Sequence, residues 1–112
     1  MTKALELRAR WAAAQGDDLE KIKAFYPEVC YEVIYMRPGN EFIDFTCAIF
    51  HPEKIAAELD ALGIDTFTIS GGWSGAQETL AAFEELGFKL EGLISVANQC
   101  DEKVPAFRLR KN

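Results

Sequence analysis

Apolar residues recur every three to four positions in the first quarter of the chain and every second position in the last. Over 3–15, Ala4, Leu7, Trp11 and Ala14 share one helix face. Gly16 fits the C′ position, where glycine enters the left-handed region cheaply. Asp17 is placed to cap a second helix whose face is Leu19, Ile22, Phe25 and Tyr26, and Pro27, lacking a helical N–H, closes it. Residues 1–27 therefore read as N-terminal helices.

The pattern then changes. Residues 29–36 are dense in β-branched and aromatic types and predict a strand. Arg37-Pro-Gly-Asn40 has the order of a type II turn, and 41–50 reads as the return strand. Residues 28–50 thus form a hairpin, with buried helix the alternative for so apolar a run. Pro52 suits a first helical turn, and Ile55, Leu59 and Leu62 make a stripe ended by Gly63. A strand over 64–69, a helix over 75–86 ended by Gly87, and an alternating strand over 88–97 compose a βαβ unit. Its two strands are expected to be parallel neighbours. Residues 104–110 return as a last strand, which Pro105 assigns to a sheet edge. The fold class is α/β. One small domain over 1–112 holds a mixed sheet with the parallel βαβ unit at 64–97, a C-terminal antiparallel edge strand at 104–110, and helices packed on the sheet.

Composition narrows the function classes. The net charge is −6, and residues 1–103 hold all 18 acidic residues but only 9 of the 12 basic ones. That balance argues against direct binding to nucleic-acid phosphates and suits a protein partner with a basic surface. Three scattered cysteines (Cys30, Cys47 and Cys100) favour a reducing cytoplasm over a disulfide framework. Charges at positions 3, 6, 8 and 10 argue against a signal peptide, and no segment approaches a membrane span.

The loop Ser70-Gly71-Gly72-Trp73-Ser74-Gly75, between strand and helix, is the leading candidate site. Backbone N–H groups freed by glycines at a helix start can hold a phosphate or carboxylate. The plainer reading is a capping box of Ser74 and Gln77. The loop lacks the ending of a P-loop and the spacing of a dinucleotide fingerprint. It approaches a nucleophile elbow, but the second glycine is displaced and no histidine follows. Trp73 is either an interface anchor or a lid on the core. Asp101, Glu102, Arg108 and Arg110 form a second candidate, a partner-binding edge. Cys47 and His51 lack an orienting third group for catalysis. The spacing of the cysteines and histidine matches no zinc arrangement. No metal, cofactor or catalytic residue is expected.

Phe67-Thr-Ile-Ser70, Trp73-Ser-Gly75, Glu78-Thr-Leu-Ala-Ala-Phe83, Gly87, Leu90-Glu-Gly-Leu93 and Pro105-Ala106 together give the last half of the chain a family resemblance. It resembles small uncharacterised proteins encoded on conjugative elements, plasmids and phages of Gram-positive gut bacteria. The resemblance brings no catalytic residues with it. It implies an accessory protein acting on host machinery, such as an inhibitor of a CRISPR nuclease or restriction enzyme. The expected function is non-enzymatic protein binding. A small anion- or nucleotide-binding module or minimal enzyme at loop 70–75 is the alternative, and a homodimer through the strand 104–110 is a third.

Overall fold

The computed structural model describes residues 2–46, 51–70 and 75–112. Helix α1 (Lys3–Ala12) starts at Thr2, whose hydroxyl accepts from the Leu5 N–H at 3.2 Å, and it buries Ala4, Leu7 and Trp11. Helix α2 (Asp17–Phe25) buries none of its residues fully. Ile22 packs partly against the core, as does Tyr26 just beyond the helix, whose ring stacks on Trp11. Phe25 is exposed. Gly16 has φ +58 and directly precedes α2, so it starts that helix, and no side chain caps it.

The strand expected over 29–36 is a helix instead, α3 (Pro27–Ile34). Pro27 ends α2 and occupies the first turn of α3, where no N–H is needed. Val29, Cys30 and Val33 are buried together, which is helical spacing, and tertiary packing overrides the β propensity of the run. The turn at 37–40 forms as expected, with Gly39 at φ +92 and the Asn40 N–H donating to the Arg37 carbonyl at 3.1 Å. No hairpin follows. From the expected return strand, β1 (Asp44–Thr46) is described, and it pairs in parallel with β2 (Thr66–Ser70); residues 47–50 lie outside the described residues.

Helix α4 (Pro52–Ala61) connects β1 to β2. It ends in a Schellman motif: Gly63, at φ +71, donates to the Asp60 carbonyl at 3.1 Å and Ile64 to the Leu59 carbonyl at 2.9 Å. Helix α5 (Ala76–Glu85) ends at Gly87 with φ +92. Strands β3 (Phe88–Ala97) and β4 (Lys103–Lys111) are antiparallel, and the sheet order is β1-β2-β4-β3.

This order corrects two expectations. β2 and β3 run in the same direction, but β4 lies between them, and the adjacent parallel pair is β1 and β2, joined through α4. The C-terminal strand is interior and β3 is the edge. Pro105 stands inside the sheet, next to Ala106, whose partner Ser70 is the last residue described in β2.

One sheet face carries the core. Phe67 of β2 meets Phe45, Phe83 and Phe88 at centroid distances of 5.7, 4.9 and 5.2 Å, each at a steep angle, as ring quadrupoles favour. The other face is polar along one row, where Asp44, Thr68 and Arg108 lie side by side across three strands.

Candidate functional site

A cavity of about 250 Å³ opens on that polar row, where β2 ends. Side chains alternate along a strand, so Thr68 and Ser70 share the face that Asp44 joins from β1. The Asp44 carboxylate accepts from Thr68 Oγ1 at 2.7 Å on one oxygen and from Ser70 Oγ at 2.5 Å on the other. Both hydroxyl residues are buried, and this holds the carboxylate in one orientation. Glu32 enters the same cavity from α3.

Burial shifts the protonation of both acids. Burial pushes the Glu32 carboxyl up to about 7, and the nearby Asp44 charge adds to the rise. Burial also raises Asp44, against the hydrogen bonds from Ser70 and Thr68, which favour its charged form. Glu32 thus exchanges its proton near neutral pH. His51 is exposed before α4 and does not line the cavity. Among the described residues no group of three or more His, Cys, Asp or Glu is arranged to hold a metal ion.

Arg37 stands at the cavity rim, but its guanidinium is engaged by Asp101, with Nε to Oδ1 at 2.9 Å. Asp101 is exposed and Arg37 only partly so; the contact lowers the Asp101 pKa and raises that of Arg37. Asn40, buried beside it, donates from Nδ2 to the Ala97 carbonyl at 3.0 Å and accepts from the Ala97 N–H at 2.9 Å.

Tyr35 lines this cavity and also a second groove of about 420 Å³ between α2 and α3, shared with Leu19, Tyr31 and Ile34. Tyr31 and Tyr35 are 60% and 56% exposed, with ring centroids 4.7 Å apart, and Phe25 is 72% exposed nearby in sequence. Helical spacing places the two tyrosines one turn apart on the face opposite Val29 and Val33.

Of the residues expected in the glycine loop, Ser70 lies in the cavity and spends its proton on Asp44. Gly71, Gly72, Trp73 and Ser74 lie outside the described residues. Gly75, at φ +84, occupies the cap position of α5; the expected Ser74–Gln77 capping box rests on Ser74 and so lies outside the described residues. The expected partner edge does not form one patch. Asp101 and Glu102 are in the β3–β4 turn near the cavity, whereas Arg110 pairs with Thr66, at the opposite end of β2. Arg108 lies between, its Nε without a hydrogen bond and 3.9 Å from Glu91. Glu32 and Asp44 went unread because both fall in the supposed hairpin. The available signal was a single acid inside each of two apolar runs, Cys30-Tyr-Glu-Val-Ile34 and Phe42-Ile-Asp-Phe45.

The chain belongs to the family described as Domain of unknown function (DUF7698), whose model matches residues 30–110. That span includes Glu32, Asp44, Ser70 and all four strands but for Lys111, the last residue of β4. Comparison with curated proteins returns no match, and neither does comparison with solved structures. Among the described residues no helix is long and apolar enough to cross a membrane.

Proposed function

We propose that this protein acts without catalysis, by binding a basic protein partner through the tyrosine face of α3 and the acid-lined cavity beside it. The observation that carries the reading is Tyr35, which belongs to both the aromatic groove and the cavity holding Glu32 and Asp44. A lysine or arginine side chain entering past Tyr35 gains a cation–π contact at the rim and a charge-assisted hydrogen bond inside. The net charge of −6 steers a basic surface toward it.

The resemblance to proteins of mobile genetic elements directs the search to cytoplasmic host or element proteins that handle nucleic acid, defence nucleases among them. Their phosphate-binding grooves have the required charge, and an acidic occupant inhibits or modulates them, as an anti-CRISPR protein does. An anion or nucleotide at loop 70–75 is the weaker reading, because the Ser70 hydroxyl donates to a carboxylate and the adjoining cavity is acidic.

Affinity capture from host lysate at low and high salt tests the proposal, with partners identified by mass spectrometry. The expected result is a basic protein held at low salt and lost with Tyr35→Ala or Asp44→Asn. Equal retention by both variants, or no basic protein even at low salt, would overturn it.

A further inference from the structure

The edge of β3 carries a self-complementary set of free backbone groups, and we infer that it pairs with the same edge of a second copy of this chain. In an antiparallel ladder, alternate residues turn both N–H and C=O toward the neighbouring strand and the others turn both away. Asn40 takes the N–H and C=O of Ala97 with its side chain, so Ala97 faces away from β4. By alternation Ser95 and Leu93 face away too. The other side of the sheet agrees: the Thr68 N–H goes to the Ile43 carbonyl beyond β2, which turns Phe107, and therefore Pro105, toward β2. Pro105 is the partner of Ser95, so neither residue is needed in the β3–β4 ladder.

The free segment has defined ends. A bulge between Leu90 and Gly92 bends the strand on one side, with Gly92 at φ +130, and Asn40 closes the other. Between them Leu93 and Ser95 are exposed, Leu93 at 61%, and neither has a hydrogen bond to any described residue outside its own sheet pairing. One antiparallel register uses all of these groups. Leu93 pairs with Ser95 of the second copy and Ser95 with its Leu93, each pair exchanging two hydrogen bonds. Ile94 then meets its own equivalent on the two-fold axis. Residues 92–100 contain no charged side chain in a chain of net charge −6, so two copies approach there without local repulsion.

The test has three parts. Sedimentation of the wild type from ~10 µM to ~1 mM brackets a weak interface, and a rising dimer fraction is expected. Non-hydrogen-bonded cross-strand pairs place Cα atoms about 4.5 Å apart, within disulfide range. Ile94→Cys in a Cys47→Ser, Cys100→Ser background is therefore expected to form disulfide dimer under oxidant at least ~10-fold faster than the exposed control Gln77→Cys. Ile94→Lys, which sets like charges face to face on the axis, is expected to remain monomeric with an unchanged far-ultraviolet circular dichroism spectrum. A wild type monomeric at the highest concentration, equal cross-linking at positions 94 and 77, or a dimer that survives Ile94→Lys would each overturn the inference.

Discussion

Glu58 of α4 caps α3 from 29 residues away: its Oε1 accepts from the Val29 N–H at 2.9 Å. The Glu28 N–H donates to the same carboxylate at 3.0 and 3.2 Å. Tyr26, at the cap position itself, provides no side-chain bond. A buried carboxylate at a helix N-terminus answers two orphan donors and the positive end of the dipole together.

Glu58→Ala is therefore expected to destabilise the protein by about 1–3 kcal/mol, since the amides lose their acceptor inside the fold. Glu58→Gln, which keeps one carbonyl acceptor, should lose less. Urea unfolding midpoints read both, and an alanine variant within a few tenths of wild type would mean that water replaces the cap.

Glu32 makes stability depend on pH in a definite direction. Its folded pKa of about 7 lies above the ordinary glutamate value of about 4.3, so the folded state binds the proton more tightly. The stabilisation is complete below the unfolded value and is lost as pH rises through 7, by about 1–3 kcal/mol once partial exposure is allowed for. Glu32→Gln should match the wild type near pH 4 and exceed it near pH 8. A gap between the two that is the same at both pH values would remove Glu32 as the source.

Gly63 and Gly87 both end helices at positive φ. A Cβ would lie 3.2 Å from Lys3 Nζ at the first and 3.4 Å from Lys111 Nζ at the second, both the movable ends of long side chains. The cost of alanine is thus backbone strain rather than collision, roughly 1 kcal/mol or more at each site. Asparagine, which tolerates the left-handed region, should recover part of it. Thermal melts in which alanine and asparagine behave alike would point to another cause.

Asn40→Ala leaves the Ala97 N–H and C=O without their partner and should cost about 1–3 kcal/mol. Amide exchange at Ala97 should accelerate while that of Val96, which faces β4, holds. Equal acceleration at both residues would indicate fraying of the whole strand end.

Much of the fold is written in local sequence. The helices at 3–12, 52–61 and 76–85 follow from apolar periodicity, and their stops at Gly63 and Gly87 follow because few other residues adopt positive φ cheaply. The Pro38-Gly39 turn is as local, and so is the division into helices and a mixed sheet. Elsewhere local preference was overruled by partners distant in sequence. The run 29–36 has β-rich composition, yet Glu58 and the core contacts of Val29 and Val33 make it helical. Pro105 points to a sheet edge, because it lacks a ladder donor; only the pairing of β4 with both β2 and β3 shows that its strand is interior. The cavity was the least legible feature. Glu32 and Asp44 are ordinary acids 12 positions apart in sequence, and their chemistry arises from sharing buried space with two hydroxyls on another strand. Periodicity along a chain reports which face is apolar. It carries no term for which polar groups the folded backbone will bring together, and that is what tertiary structure decided here.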